Sequence, residues 1–451
     1  MQKSLITALL ASAFFSQGAG AADLIQVYQQ ALANDAVYAS ARASQQAGLE
    51  RIPQGKAALY PVISGSAAVT RNMGNVASGV GQVVTLPDGT NDIINSTGNN
   101  YTARQYQISL TQPLFRWDRW QTYQQSKLQE AISEAQFAQA QQDLITRVAQ
   151  AYFDVLGAQD TLESTRSQKA AVTEQLASAK RNFEVGTQTI TDTHEAQAAY
   201  DLVISQEFAA SADLENKRSA LLAIVGGDAV VLAPLRTGIT LASPQPAAIE
   251  PWLSAAQSQN YGVTVSELSL ESAKRDIERN RAGHLPTLDL VASNSRILNA
   301  GAVYNTSRVT GNAIGVQLNV PIFSGFAVTS RVRESIALED KARNDLESTR
   351  RNAVLGVRQA FLGVNSGLAQ VKALEAAEIS SQSALDSNKL GYQVGVRINI
   401  DVLNAQRQLF STQTQLSQAR YATIMSGLRL KAAAGSLREA DLVPVNALLI
   451  R

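Results

Sequence analysis

The sequence predicts an α+β membrane protein built from two tandem copies of one strand–helix unit. Three observations predict it: an internal repeat, two uninterrupted helical rods, and four short segments of alternating polarity. The repeat organises the rest. Asn182-Phe183-Glu184-Val185-Gly186 returns as Gly391-Tyr392-Gln393-Val394-Gly395, about 209 positions on. At the same offset Gln150-Ala151-Tyr152 becomes Gln359-Ala360-Phe361, Ala196-Gln197 becomes Ala405-Gln406, and Asp192 meets Asp401. Leu59-Tyr60-Pro61 matches His284-Leu285-Pro286 at an offset of about 225, so the first half carries a longer loop between those landmarks. The collinear series predicts two structural repeats, residues 22–235 and 236–451, intertwined in one domain.

The rods follow from apolar spacing. Ile145, Val148, Tyr152, Val155 and Leu162 recur at 3-4 intervals, with Gln159 in one stripe position. Val354, Val357, Phe361, Val364, Leu368 and Val371 repeat the stripe in the second half. An apolar residue every 3.5 positions on average is a coiled-coil seam. An amphipathic helix on a globular core would end within about 25 residues, yet no proline interrupts Trp117 to Phe183 or Phe326 to Tyr392. Each stretch makes a helix of roughly 100 Å. Shorter helices are expected over Asp23–Ala57, Asp192–Val225, Glu250–Ala282 and Asp401–Ala434, two per rod.

The alternating segments lie between helices. Ile63, Ala67 and Val69 alternate with Ser64, Ser66, Ala68 and Thr70; Tyr106, Ile108 and Leu110 alternate with Gln105, Gln107, Ser109 and Thr111. In the second half Leu288, Leu290 and Ala292 oppose Thr287, Asp289 and Ser293, and Ile314, Val316, Leu318 and Val320 oppose Gly315, Gln317 and Asn319. Period-2 alternation suits a half-buried soluble sheet as well as a membrane barrel strand. Two features favour the membrane. Met73–Asn100 reads as a long Gly/Asn/Ser-rich external loop, and Tyr60, Tyr101, Phe115, Trp117, Trp120 and Phe323 cluster near strand ends as interfacial aromatics do. Pro61, Pro113, Pro286 and Pro321 mark the four junctions between helix and strand, where a missing N–H costs least.

Composition narrows the function. The 451 residues are 45% hydrophobic and 17% charged with a net charge of +1, which gives no electrostatic reason to expect nucleic acid. Cysteine is absent and histidine occurs only at His194 and His284, so metal, haem and thiol chemistry lack ligands, and an N-terminal lipid anchor lacks its cysteine. Gly79-Val80-Gly81 has no strand–helix context for a dinucleotide, no P-loop occurs, and no acid–base set stands out. No enzyme, cofactor or metal is expected. Residues 1–21 read as a secretory signal: Lys3, an apolar run from Leu5 to Phe15 too short to span a bilayer, then Ala19-Gly20-Ala21. The mature chain is then either soluble and exported or a barrel protein.

Four strands do not close a barrel, and open edges are not tolerated in lipid, so the subunit must oligomerise. Two copies would give eight strands with a filled interior; three would give twelve around a lumen. A periplasmic coiled-coil interaction protein would share the signal and the helices but not the four strands with their girdles and prolines.

The run Asp23-Leu24-Ile25-Gln26-Val27-Tyr28-Gln29-Gln30-Ala31-Leu32-Ala33-Asn34-Asp35, the junctions Pro113-Leu114-Phe115 and Pro321-Ile322-Phe323, and the motifs around Val185-Gly186 and Val394-Gly395 together resemble the TolC family of outer-membrane channels. The resemblance covers essentially the whole mature chain and sits nearer the type I secretion branch. It implies a homotrimer in outer-membrane lipid, with a 12-stranded barrel and a periplasmic α-barrel. It also implies a passive export duct docked at its tip, around Gly186 and Gly395, by a periplasmic adaptor and an inner-membrane transporter. By the same resemblance Thr191, Asp192, Tyr392 and Arg397 occupy the positions of a latch that holds the tip shut. Asp401 takes the place of an acidic entrance ring, and Asn404 stands where the family commonly has a second aspartate. An exposed Arg–carboxylate pair contributes only about 0–1 kcal/mol, a magnitude suited to a latch that a partner releases.

Overall fold

The computed structural model describes residues 21–85, 88–98, 100–227, 231–300 and 307–450; the expected signal, but for Ala21, lies outside them. In chain order the elements are α1 (Leu24–Asn34), α2 (Ala36–Leu49), α3 (Arg51–Ala57), β1 (Val62–Asn72), β2 (Asn75–Thr85), β3 (Asn91–Gly98) and β4 (Tyr101–Phe115). There follow α4 (Trp117–Glu184), α5 (Ile190–Val225), α6 (Glu250–Ser258), α7 (Tyr261–Arg281), β5 (Thr287–Ala300), β6 (Ser307–Asn319), α8 (Ala327–Gln393), α9 (Asn399–Ala433) and α10 (Leu442–Asn446). The two rods expected from the seams are α4, of 68 residues, and α8, of 67.

The described residues form two compact units, each drawing on both halves of the sequence. Of the described residues, one unit takes those up to Gln46, those within Ile132–Glu267 and those from Asp345 on, the other those within Ala47–Ala131 and Leu268–Asn344. In the first, the α4 stripe is the centre of the core: Ile145, Val148, Tyr152, Val155 and Leu162 are all buried, packed with Leu24, Val27 and Tyr28 of α1 and Leu428 of α9. Tyr152 is fully enclosed, and its hydroxyl donates to Ala233 O at 2.8 Å with Ala22 O 3.2 Å away. The α8 stripe is covered less evenly: Val357, Val364 and Val371 are buried, whereas Val354, Phe361 and Leu368 are half-buried within this chain.

Two of the shorter helices differ from expectation, each at a polar residue. Asp23–Ala57 is three helices: α2 gives way to α3 at Glu50, and α1 ends where Asp35 turns extended at ψ 117° and directs its carboxylate elsewhere. It accepts from Tyr38 N at 2.6 Å and from the Arg147 guanidinium at 2.9 and 3.1 Å. Burial raises the pKa of Asp35, but the Arg147 and backbone hydrogen bonds outweigh it and hold the carboxyl below its usual range. Glu250–Ala282 is α6 and α7, interrupted at Gln259 and Asn260. There Asn260 accepts from Val263 N at 3.2 Å and donates to Ala433 O at 2.9 Å. Gly435, at φ 76°, sits so close that a Cβ would lie 2.2 Å from Gln259 O.

The second unit is organised by a four-stranded antiparallel sheet in the order β1-β4-β5-β6, as the four alternating segments predict. Register places Ile63, Leu110, Ala292 and Ile314 in one row on one face, and Ser64, Ser109, Ser293 and Ala313 in the next row on the other. Pro61 and Pro286 precede their strands and Pro321 follows β6; Pro113 sits inside β4, at the register shift between Pro113 and Phe115. Arg116, just before α4, holds Asp289 of β5 through two bonds of 3.0 and 2.6 Å. The expected loop over Met73–Asn100 is instead largely a hairpin, β2 paired with β3. Val76, Val83, Val84, Ile93 and Ile94 are β-branched, and Asp88-Gly89 supplies the turn, Gly89 at φ 82°. Gly/Asn/Ser richness masked that propensity. Among the described residues no helix is long and apolar enough to cross a membrane.

Candidate gate at the helical hairpin tips

The residues singled out from the repeat lie where α4 turns into α5 and α8 into α9. The two turns share one backbone. Gly186 and Gly395 take φ 77° and 79°, the left-handed conformation that ends a helix with least strain in glycine. Thr187 N donates to Asn182 O at 2.8 Å and Val396 N to Gly391 O at 2.9 Å; Gly186 N and Gly395 N donate to Phe183 O and Tyr392 O. These bonds satisfy carbonyls left over at each helix end.

The side chains differ. In the first tip Thr189 caps α5: Asp192 N donates to Thr189 Oγ1 at 3.3 Å, and Asp192 Oδ2 accepts from Thr189 N at 3.1 Å. The Asp192 carboxylate is thus occupied within its own turn. Thr191 is exposed. In the second tip Ile398 occupies the cap position and offers no acceptor, so α9 starts without a side-chain cap. Arg397 Nη1 lies 3.7 Å from Asp401 Oδ2, one helical turn on, with the arginine exposed and the aspartate half-buried. Gly391 makes room for that arginine, since a Cβ there would lie 2.7 Å from Arg397 Cγ. Asn404 accepts from Arg407.

Three bonds join the two hairpins, and each involves a residue that the sequence did not flag. Gln188 donates to the Tyr392 hydroxyl. Asn399, fully buried, accepts from Gln175 of α4 and donates to Asp192 O at 3.2 Å. The expected latch set is therefore only partly gathered in this chain: Tyr392 and Asp192 reach the opposite tip through Gln188 and Asn399, while Arg397 pairs locally. The repeat held a signal for these two. Gln188 aligns with Arg397, and Asn399 aligns with Ile190, a polarity exchange at the first residue of the helix.

Around the turns, apolar side chains face solvent: Val185, Val394, Val396 and Ile398. The arrangement is a weakly bonded, apolar-tipped pair of hairpins, with no reactive constellation. The sequence profile of a family described as outer membrane efflux protein matches residues 27–227 and 252–436. The chain belongs to that family. Its sequence is 35% identical over 440 residues to outer membrane protein TolC of Vibrio cholerae, covering 96% of this chain and 95% of that one. It is 31% identical over 433 residues to the alkaline protease secretion protein AprF of Pseudomonas aeruginosa, covering 96% and 88%. The crystal structure of the CmeC outer membrane channel of Campylobacter jejuni matches with a TM-score of 0.76 at 18% identity, over 95% of this chain and 90% of that one. As a member of the outer membrane efflux family the chain is an outer-membrane channel protein with the TolC-like α+β fold.

Proposed function

We propose that three copies of this chain form an export duct, passive and not enzymatic, gated at the hairpin tips and opened by a periplasmic adaptor with an inner-membrane transporter. The observation that carries the reading is the four-stranded sheet. Among the described residues it has two unpaired edges, β1 and β6, an apolar face whose Ile63, Ile314, Val316 and Leu318 are exposed, and a face of small polar residues. Lipid does not accept such edges, and three copies give twelve strands around a lumen lined by the small polar face. The duplicated halves, 22–235 and 236–451, would build that duct as one intertwined domain after removal of residues 1–21. The names of the relatives above, a secretion protein among them, support type I secretion or efflux.

In this reading Asp192, Thr191, Tyr392 and Arg397 hold the tips together, and the weakness of each bond suits release by a partner. The exposed valines beside Gly186 and Gly395 give an adaptor apolar surface to cover. Asp401 from three copies narrows the entrance with one acidic ring, which Asn404 does not reinforce. The test is twofold. Purified protein should have three times the chain mass once detergent is subtracted, and in planar bilayers Tyr392→Phe with Arg397→Ser should raise single-channel conductance. A monomer that forms stable pores would overturn the trimer; wild-type conductance in the folded double variant would overturn the gate. Asp401→Asn should remove most cation preference, read as the reversal potential in a salt gradient.

A further inference from the structure

The sheet sorts its charges. Strands β1, β4, β5 and β6 contain four basic residues, Arg71, Arg104, Arg296 and Arg308, and no lysine. Register places all four on the apolar face. Arg71 stands opposite Thr102 and Arg104 opposite Val69; Arg104 also faces Leu298, Arg296 faces Tyr106, and Leu298 faces Arg308. Each arginine is therefore the diagonal neighbour of the next, two residues along and one strand across, in the order Arg71, Arg104, Arg296, Arg308. Diagonal neighbours on one face are about 7–8 Å apart, so four guanidinium groups form a continuous zigzag. All four are exposed, and among the described residues no ion pair involves any of them. The one carboxylate of these strands, Asp289, lies on the opposite face and is bound to Arg116.

Height fixes what such a row meets. The strands join their helices at the ends marked by Val62, Phe115, Thr287 and Asn319, and the arginines lie at the other end. From Leu288 to Arg296 along β5 is roughly 27 Å, which a barrel tilt near 40° reduces to about 20 Å along the membrane normal. Over that height the face reads Leu288, Leu290, Ala292 on β5 and Leu318, Val316, Ile314 on β6, then turns polar at Asn294 and Asn312. An apolar band of a barrel is about 25 Å tall, so Arg296 reaches its upper margin and the other three stand in the headgroup layer. Four guanidinium groups at that level, without an ion pair among the described residues, repel one another unless anions lie between them, and arginine forks match phosphate oxygens.

We propose that this arginine zigzag is a docking surface for phosphate-bearing lipid of the outer leaflet, repeated three times around the barrel. The inference rests on the duct reading for the direction of the strands. The test uses the full trimer in detergent, titrated with diphosphoryl lipid A, with monophosphoryl lipid A and with phosphatidylcholine, and read by native mass spectrometry as lipids retained per trimer. Wild type should hold diphosphoryl lipid at least about tenfold more tightly than R71Q/R104Q/R296Q/R308Q, with monophosphoryl lipid between and phosphatidylcholine unaffected. Restoring charge as four lysines should recover part of the preference, less than arginine because the forked geometry is lost. If the fourfold variant does not fold, R104Q/R296Q interrupts the middle of the zigzag and should show a smaller loss of the same order of preference. Equal retention of diphosphoryl lipid by wild type and folded variant would overturn the proposal, as would its displacement by millimolar inorganic phosphate, which would mark a free-anion site. Both proteins are also placed in planar bilayers. Pores with a flat lipid response sink the arginine surface and spare the duct; an arginine-dependent lipid preference without pores does the reverse.

Discussion

The first and second hairpin tips have one backbone and two chemistries. Both end a long helix on a left-handed glycine and close it with the same pattern of main-chain bonds. The first then starts its next helix with a reciprocal Thr189–Asp192 cap, while the second starts from Ile398 with none. Duplication therefore preserved what the turn geometry requires and let the helix starts diverge. A capped start is worth about 1 kcal/mol, so the second tip begins with the looser first turn. Asp401, the repeat partner of Asp192, is left with only a 3.7 Å pair to Arg397.

The largest change is expected where the two tips meet. Asn399→Leu leaves the Gln175 amide and Asp192 O without their partner, a loss of about 2 kcal/mol. Amide exchange across residues 190–195 and 399–403 should quicken roughly 30-fold in that variant. Unchanged protection there would mean the tips are held from outside this chain. Next comes Thr189→Ala, which makes the first tip resemble the second. It should cost about 1 kcal/mol, seen as roughly fivefold faster exchange confined to the first turn of α5. If exchange at Asn399 rises equally, the two starts are one cooperative unit and the comparison fails.

Ile398→Thr runs the exchange the other way. Supplying an acceptor before Asn399 should stabilise the start of α9 by about 0.5–1 kcal/mol and lower the frequency of spontaneous openings in bilayers. A more open channel would show that the exposed isoleucine, not the missing cap, is what matters. The smallest effect belongs to Arg397→Ser on the isolated protein. An exposed pair one turn apart is worth about 0.3 kcal/mol, so exchange in α9 should change less than about twofold and the difference should vanish in high salt. A large salt-resistant change would place Arg397 in a buried contact with another copy.

Much of this molecule was legible because its signals are periodic. The seams that include Val148 and Val357 fixed the rods, and the alternation through Ile314 and Val316 fixed the strand faces. Three things were not. Asp35 and Asn260 break helices through side-chain bonds to distant residues, Arg147 and Ala433, which no local propensity records. The β2–β3 hairpin hid behind glycine and asparagine, whose turn preference outweighed the β-branched residues between them. In the tips the family resemblance named Tyr392 and Asp192 but not their in-chain partners, because Gln188 and Asn399 are conspicuous only beside the residues they replace in the other repeat.

The start of α1 is fastened by the far end of the chain. Leu24 N donates to Asn446 Oδ1 at 2.9 Å, Asn446 Nδ2 donates to Asp23 Oδ2 at 2.9 Å, and Leu449 pairs with Leu235 beside the Ala22–Leu232 bridge. The two Asn446 bonds join residues 422 and 423 positions apart. Closing so long a loop is entropically costly, and contacts of such high order slow folding. During synthesis the Leu24 amide waits for an acceptor that lies 422 residues further along. The native core around Leu24 and Tyr152 therefore stays unfinished until the segment that carries Asn446 can reach it.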